Sequence, residues 1–263
     1  NPEQIIKICE KYESVKYLRN SKNIGLAGSR NIGIWAAKSN IIAFLDADDQ
    51  FHRNKLEIQL KYLGHNNVVS TDAISIGYNS LINIDSDLKV NEKTKIFSSP
   101  FQNLFFNRLV GSSLLAHTST LKKINGYDSK LRSVEDFDLW IRLLQGPIQV
   151  VAVKAPLYLY YDRDGSLSKD SFSIWKNIVI SIKKFISYRQ IKIGSIVEQF
   201  IWLILISKEF IKAEASYNHE LKNKLLQDAP MLILNRFLLI IIKTLIKLKF
   251  FKIISLFLIR KES

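Results

Sequence analysis

Hydrophobic side chains recur at helical spacing from the start of the chain. Apolar residues at positions 5, 8, 9 and 12 follow the i, i+3, i+4, i+7 pattern of an amphipathic helix and predict one over 3–12. The short alternating run 15–18 predicts a strand. A second helix is predicted over 29–38, and the continuous apolar run 41–45 has the length and composition of a strand buried on both faces.

The alternation of helices and strands continues downstream. A third helix, predicted over 53–63, leads into another strand at 68–70. This order is typical of an α/β fold with a parallel sheet. The chain has 263 residues, 47% of them hydrophobic, with only 10 glycines and 5 prolines, so it has enough apolar surface for a sizeable core. That composition excludes a disordered or collagen-like protein.

The predicted buried strand runs directly into Asp46-Ala47-Asp48-Asp49. Three carboxylates within four residues repel one another unless a cation or hydrogen-bond donors compensate them. Asp49 is also suited to cap a helix that begins near His52. One aspartate would be enough for a cap. Three of them, at the strand end where an open sheet has its binding crevice, are better explained as ligands of a divalent metal that holds substrate phosphates.

A glycine-rich turn precedes that strand and contains Asn23, Gly25, Arg30 and Gly33. Glycine permits close approach of the backbone, and a helix N-terminus offers free N–H groups to an anion. The spacing matches neither the P-loop nor the dinucleotide-binding fingerprint. Arg30 is therefore either an ordinary solvated helix residue or a guanidinium placed near phosphates.

A second acidic cluster lies downstream, at the start of a predicted helix. Four apolar residues at helical spacing are expected to face the core: Phe137, Trp140, Ile141 and Leu144. This spacing puts Glu135 and Asp136 in the first turn, where the helix dipole favours an ionised carboxylate. Such a group suits a general base for a hydroxyl, and it equally suits plain stabilisation of the helix.

The order and spacing of these motifs from about residue 3 to residue 170 resemble a family 2 glycosyltransferase. The motifs are Asn23-x-Gly25, Arg30-Asn31-x-Gly33, Asp46-x-Asp48-Asp49, Gly126-Tyr127-Asp128, Glu135-Asp136-x-Asp138-Leu139-Trp140-x-Arg142 and Arg163-Asp164-Gly165-Ser166-Leu167-Ser168. The resemblance implies an α/β fold of the GT-A type, with a mixed, mostly parallel sheet flanked by helices. It also implies transfer of a sugar from a nucleotide donor to an acceptor hydroxyl, with inversion at the anomeric carbon.

The resemblance also assigns expected roles on the donor side. Asp46 and Asp48 resemble the Asp-x-Asp pair of the family. Asp48 would be the direct ligand of Mg²⁺ or Mn²⁺, and Asp46 would hold the ribose of the nucleotide or a metal-bound water. Asn23, Gly25 and Arg30 would belong to the site that binds the nucleotide sugar.

On the acceptor side, Asp136 resembles the base that takes the proton from the attacking hydroxyl, and Glu135 would be its neighbour near the acceptor. Two features depart from the family pattern. Family members usually begin with a strand, a helix and a second strand that ends in an Asp-Asp-Gly-Ser-like turn, whereas this sequence begins at the following helix. The closing motif has Asp164 near a position where relatives often carry His. The alternative is therefore a truncated, inactive remnant that acts at most in binding or membrane association.

Positive charge concentrates in the last third of the chain. Of the net charge of +14, residues 1–170 carry 22 Lys and Arg against 18 Asp and Glu, and residues 171–263 carry 16 against 6. The second segment is also rich in Ile, Leu and Phe. A surface that is both cationic and apolar suits an anionic bilayer rather than a nucleic-acid groove.

Helices are predicted over 173–188, 196–213 and 231–259. The last has Arg236, Lys243 and Lys247 on one side of an otherwise apolar surface. Because no run of 18 apolar residues occurs, this helix is expected to lie in the bilayer interface rather than to span it. The alternative is packing against the domain or in an oligomer interface.

The predicted organisation is an N-terminally incomplete GT-A domain over 1–170 and a helical, basic, membrane-associated tail over 171–263. The expected partners are a nucleotide-sugar donor, a saccharide or lipid-linked acceptor and an anionic membrane surface, and nucleic acid is not among them. We expect a role in the synthesis of a surface polysaccharide or glycolipid. The expected location is cytoplasmic, peripheral at the inner face of the plasma membrane.

Overall fold

A computed structural model describes residues 2–77, 92–100, 102–103, 109–162, 170–191, 198, 201–202, 205–206, 209, 213 and 218–232. Within these residues the helices are α1 (Pro2–Cys9), α2 (Gly25–Ala36), α3 (Lys55–Tyr62), α4 (Thr118–Lys123), α5 (Glu135–Gln145), α6 (Ser171–Tyr188) and α7 (His219–Leu232). The strands are β1 (Ile41–Ala43), β2 (Gln50–Phe51), β3 (Asn67–Gly77), β4 (Thr94–Phe97), β5 (Leu115–His117) and β6 (Gln149–Asp162). A single 3₁₀ turn, Gly111–Ser113, precedes β5 and is called the 111–113 turn below.

One mixed sheet forms the middle of the fold. Its strand order is β1-β5-β3-β6-β2, and β4 pairs with residues 150–153 of β6 on the side opposite β3. The long β3–β6 ladder is parallel. The other described ladders, β1–β5, β3–β5, β2–β6 and β4–β6, are antiparallel. The expected mixed sheet between helices is therefore confirmed, but among the described ladders only β3–β6 is parallel, so the described sheet is not mostly parallel as expected.

Helix α5 follows the predicted amphipathic pattern. Phe137, Trp140, Ile141 and Leu144 are all buried. Trp140 and Leu144 pack with the residues beneath the sheet, including Val68 of β3. Phe137 and Ile141 instead contact a second cluster that contains residues of α6. The helix thus joins two parts of the core, and its first turn is held in a fixed position by both.

Helix α6 is attached to the sheet domain by polar contacts as well as by this shared core. The ammonium group of Lys184 lies 2.7 Å from Asp128 and 2.6 Å from Asp138 of α5. The side-chain amide of Asn177 donates to Ser133 Oγ at 2.8 Å. The predicted helix over 173–188 is confirmed, and the 131–138 segment that it contacts includes the second acidic cluster.

Two local predictions are wrong. The run 15–18 pairs with no strand among the described residues, and Val15 and Leu18 remain 47% and 42% exposed. Alternation gives a strand-like pattern, but a strand also needs a hydrogen-bonded neighbour. The apolar run 41–45 forms only the short strand β1, which is the edge strand of the described sheet and is half-buried rather than buried on both faces.

Several predictions lie outside the described residues. The closing motif 163–168 is one of them, and so is the basic stripe of Arg236, Lys243 and Lys247. The helix predicted over 196–213 is described only at single positions, where Ile201, Trp202, Leu205 and Ile206 are buried. No helix in the described part of the chain is long and apolar enough to cross a bilayer.

Candidate active site

The acidic residues predicted from the motifs meet around the guanidinium of Arg30. Its Nη2 lies 2.6 Å from Asp46 Oδ1, and its Nη1 lies 3.0 Å from Glu135 Oε1. Nη2 also donates to Ser112 Oγ at 3.2 Å. The two carboxylates are 89 positions apart in the sequence, and one side chain on α2 holds both.

The environment of Arg30 is mostly buried. The Arg30 side chain is 8% exposed, Glu135 is 10% exposed and Asp46 is 26% exposed. The guanidinium carbon lies 5.3 Å from the centre of the Tyr127 ring. Burial alone disfavours the charged guanidinium, but the surrounding Tyr127, Asp46 and Glu135 raise the pKa of Arg30 above its ordinary value. Arg30 is therefore a permanent cation in this site. Its solvated-helix interpretation is wrong because the side chain is buried.

Both oxygens of Asp46 have partners. Oδ1 accepts from Arg30, and Oδ2 accepts from Ser112 Oγ at 2.6 Å. The backbone N–H of Asp46 donates to the hydroxyl of Tyr158 at 3.2 Å. Asp46 is thus oriented from three sides, by α2, by the 111–113 turn and by β6.

Asp48 and Asp49 differ sharply in environment. Asp48 is exposed, whereas Asp49 is buried. Asp49 accepts from the Tyr158 hydroxyl at 2.7 Å and from the Tyr161 N–H at 3.0 Å. The interpretation of Asp49 as a helix cap is wrong, since its carboxylate ties the 46–49 turn to β6. Burial raises the pKa of Asp49, although both hydrogen bonds oppose that change.

The second acidic pair opens α5 after a residue in an unusual backbone conformation. Val134 has φ 54° and ψ 25°, in the left-handed region that β-branched residues rarely adopt. Asp136 Oδ1 accepts from the N–H of Phe137 at 2.7 Å. Gly111 leaves room for Asp136, because a Cβ on Gly111 would lie 2.6 Å from Asp136 Oδ2. The 111–113 turn therefore contacts both Asp46 and Asp136.

Burial raises the pKa of Asp136, while the N–H of Phe137 and the charge of Arg30 oppose the change. Burial also raises the pKa of Glu135, and the charge of Asp136 adds to the effect. A carboxylate with a raised pKa is a stronger base than an ordinary aspartate. Asp136 can therefore accept a proton from a bound hydroxyl more readily than an exposed acid can, whereas Glu135 is paired with Arg30.

Asn23 and Gly25 lie at the start of α2, outside the ion-paired cluster. The Asn23 side-chain oxygen accepts from the N–H of Gly25 at 2.9 Å. Gly25 has φ +77°, which only glycine adopts without strain. A pocket of about 630 Å³ lies beside this turn. It is lined by Asn20, Lys22, Asn23, Ile24, Gly25, Leu26, Ser29 and Arg132.

The fit of a divalent metal depends on which carboxylate oxygens it could reach. Among the described residues, no group of three or more His, Cys, Asp and Glu side chains could hold a metal ion. The exposed Asp48 can offer an oxygen to a cation that a bound diphosphate also ligates. Asp46 is less suited to direct ligation, because its oxygens already accept from Arg30 and Ser112. A metal at this turn would therefore have to be shared between Asp48 and a bound ligand.

Sequence patterns did not indicate Ser112 or Tyr158 as part of this cluster. Ser112 lies in a short Gly-Ser-Ser segment without a recognisable motif, and Tyr158 is one of several alternating apolar residues in β6. The Arg30-Asn31-x-Gly33 motif does not indicate a role for Asn31. Its side chain forms hydrogen bonds with both the N–H and the carbonyl of Tyr127, at 2.7 and 2.8 Å. That contact joins the Arg-Asn segment to the Gly-Tyr-Asp turn.

Residues 2–111 match the family model described as glycosyl transferase family 2. The resemblance to glycosyltransferase family 2 expected from the sequence is confirmed over this segment. An uncharacterised glycosyltransferase of Rickettsia conorii is 35% identical over 149 residues, which cover 53% of this chain and 22% of the relative. The Escherichia coli UDP-Glc:alpha-D-GlcNAc-diphosphoundecaprenol beta-1,3-glucosyltransferase WfgD is 31% identical over 143 residues, with 53% of this chain and 52% of that enzyme covered. The chain thus spans about a fifth to a half of the length of these relatives.

The fold of this chain also occurs in a solved structure, Staphylococcus aureus TarS 1–349 in complex with UDP-GlcNAc. The TM-score is 0.57 at 16% identity, and the match covers 88% of this chain and 69% of TarS 1–349. At this identity the likeness concerns the fold. It agrees with the GT-A-like α/β architecture expected from the sequence.

Proposed function

We propose that this protein transfers a sugar from a nucleotide-sugar donor to an acceptor hydroxyl. The observation that carries the proposal is the ion-paired cluster in which Arg30 bridges Asp46 and Glu135 at 2.6 and 3.0 Å. It joins the acidic turn after β1 to the acidic pair at the start of α5. The match of residues 2–111 to the family 2 model and the proteins similar to this chain support the same reaction class.

Asp136 is the proposed base. Its raised pKa favours proton uptake from a sugar hydroxyl as that hydroxyl attacks the anomeric carbon. Glu135 is held by Arg30, so it is less free to accept a proton and instead contributes negative charge beside the acceptor. Attack from the face opposite the leaving diphosphate inverts the anomeric carbon.

The donor is proposed to lie between the α2 turn and the acidic turn after β1. Asn23 and Gly25 border the pocket there, and Arg30 holds Asp46 in place. Asp48 would hold Mg²⁺ or Mn²⁺, with Asp46 behind it in contact with the ribose or a metal-bound water. When bound, the metal supplies charge stabilisation to the leaving diphosphate. Asp46 itself is oriented by hydrogen bonds with Arg30, Ser112 and Tyr158.

The acceptor class follows from the relatives and from the charge of the chain. WfgD is named for action on a lipid-diphosphate-linked sugar. Residues 171–263 carry 16 basic against 6 acidic residues, a balance that suits an anionic membrane surface. We propose a saccharide or lipid-linked acceptor, a place in polysaccharide or glycolipid synthesis, and peripheral attachment at the inner face of the plasma membrane.

Turnover of a panel of nucleotide sugars by the purified chain, with Mg²⁺ or Mn²⁺, tests this function. Asp136→Asn is expected to lower kcat by about 10² or more with little change in donor KM, since general-base help is worth 10²–10⁴. The matched control is Asp138→Asn in the same helix turn, because Asp138 contacts Arg142 and Lys184 instead. Equal loss in both variants would assign Asp136 to helix stability. Absence of turnover with every donor would favour the inactive alternative.

Calorimetry of nucleoside diphosphate binding, with and without EDTA, tests the metal assignment separately. Asp48→Asn is expected to remove most of the metal dependence of nucleotide affinity. Asp49→Asn is the matched control, because both Asp49 oxygens are engaged by β6. Nucleotide affinity that is the same with and without EDTA in the wild type would contradict a metal at Asp48.

A further inference from the structure

A chain of fully buried polar groups connects helix α3 to the 111–113 turn. Lys55 and Gln59 of α3 are both 0% exposed. Lys55 Nζ donates to Gln59 Oε1 at 2.7 Å. Gln59 Nε2 donates to the carbonyl of Ser113 at 2.7 Å and to that of Val69 at 3.3 Å. None of these groups touches the ion-paired cluster directly.

Lys55 is unusual because no carboxylate contacts it within the described part of the chain. Its Nζ lies 4.0 Å from the centre of the Phe51 ring, and Gln59 supplies its side-chain hydrogen bond. Burial lowers the pKa of Lys55 to about 7. Burying an ammonium group without an anion is unfavourable. Packing alone would be served better by an apolar side chain of the same length.

The hydrogen bond from Lys55 determines how the amide of Gln59 is oriented. A lysine ammonium group only donates, so the amide oxygen must face Lys55 and the amide NH₂ must face the two carbonyls. Gln59 then ties β3, through Val69, to the 111–113 turn, through Ser113. A reversed amide would place its oxygen against two carbonyl oxygens.

The turn passes this restraint on to the acidic groups. Ser113 is buried, and its Oγ accepts from the N–H of Thr71 at 3.0 Å. The adjacent Ser112 donates to Asp46 at 2.6 Å, and Gly111 packs against Asp136. A shift of the turn would therefore move the partners of both acids at once.

We propose that Gln59, oriented by Lys55, is a positioning residue that holds the 111–113 turn, and through it Asp46 and Asp136, in the arrangement required for sugar transfer. The catalytic consequence rests on the proposed function, whereas the restraint on the turn does not. Gln59 acts through Ser113 and does not touch the reacting groups. Lys55 acts one step further away, through the Gln59 amide.

Two substitutions separate positioning from mere packing. Lys55→Met keeps the length of the side chain but removes the donor and the buried charge, so the chain is expected to keep or gain stability. Gln59→Leu removes both the acceptor for Lys55 and the donor to the carbonyls of Ser113 and Val69. Lys61→Met is the matched control, because Lys61 is an exposed lysine on the same helix.

Hydrogen exchange measured by mass spectrometry or NMR reads the restraint directly in the full chain. The N–H groups of Ser113 and Leu114 donate to Val110 and Gly111 within the turn. We expect their exchange to accelerate at least tenfold in Lys55→Met and Gln59→Leu, with the parallel β3–β6 ladder unchanged, and neither effect in Lys61→Met. If a folded Lys55→Met protein exchanged these N–H groups at the same rate as the wild type, the proposal would be overturned.

Kinetics add a readout that a packing role would not move. Loss of a positioning contact behind a reacting group typically costs 10–100-fold. We expect Gln59→Leu to lower kcat about tenfold while the donor KM changes less than threefold. In a Ser112→Ala background we expect Gln59→Leu to cause no additional loss, because both residues act through the turn. Additive losses would contradict action through Ser112. If the wild type turns over no donor, the proposed function fails while the exchange result still decides the restraint.

Discussion

Replacement of Arg30 by methionine removes the cation that Asp46 and Glu135 share while keeping a side chain of similar length. Both members of the Arg30–Glu135 pair are at most 10% exposed. Breaking a buried ion pair by removing one partner costs about 3–5 kcal/mol, because the other charge stays buried without compensation. Asp46 is 26% exposed, so water offsets part of its loss. We expect the free energy of unfolding to fall by about 3 kcal/mol at pH 7.

The pH dependence of that loss identifies its cause. Burial and the charge of Asp136 raise the pKa of Glu135 above its ordinary value of 4.5, and Arg30 opposes them. Without Arg30 this pKa rises further. A carboxyl group with a raised folded-state pKa lowers stability above that pKa, and the cost disappears as the pH falls toward the unfolded value. The deficit of Arg30→Met is therefore expected to be largest at pH 7–8 and to shrink toward pH 4.5.

Urea unfolding followed by circular dichroism between pH 4.5 and 8 measures the deficit against the wild type. A loss of about 3 kcal/mol corresponds to a decrease in Tm of roughly 10 °C for a chain of this size. Arg19→Met is the control, because Arg19 is exposed and surface substitutions usually stay within about 0.5 kcal/mol. A loss below about 1 kcal/mol at pH 7, or a deficit that grows on acidification, would refute the reasoning.

Gly111 and Val134 give further tests of the backbone, with Gly33 and Val110 as their controls. Gly111→Ala places a Cβ 2.6 Å from Asp136 Oδ2 and is expected to cost about 1–3 kcal/mol in urea unfolding; Gly33→Ala, which meets nothing within 4 Å in α2, should instead stabilise by about 0.5–1 kcal/mol. At Val134, with φ 54°, the glycine variant should be at least as stable as the alanine variant, because alanine retains the left-handed strain. At Val110, with φ −84°, alanine should be the more stable. If the glycine and alanine variants had the same order of stability at both valines, strain at Val134 would be contradicted.

The local spacing of hydrophobic residues predicted the helices correctly. The spacing of Phe137, Trp140, Ile141 and Leu144 identified α5 and its buried face, because helix formation and side-chain direction depend on neighbours three and four positions away. The same local logic was wrong for 15–18, where alternation was present but no described strand pairs with it. A strand is stabilised by a partner that the local pattern does not contain.

The motifs also indicated the family that the chain resembles and the acidic residues of the candidate site. Their order along the chain indicated family 2, and the family model matches residues 2–111. The sequence left the role of Arg30 open between a solvated residue and a phosphate contact. Pairing of Arg30 with Glu135, 105 positions away, depends on how α2 and α5 pack, so it was not readable from either segment alone.

Only the tertiary structure decided the environment of each acid and the residues that hold it. The sequence makes Asp49 a candidate cap for a nearby helix, yet its carboxylate accepts a hydrogen bond from Tyr158, 109 positions away. Ser112 and Gln59 belong to no motif, and their importance comes from the carbonyl and carboxylate groups that folding brings beside them. The physical reason is that periodicity records which face of an element is buried. The partner that meets a buried polar group is chosen by strand pairing and helix packing across the whole chain.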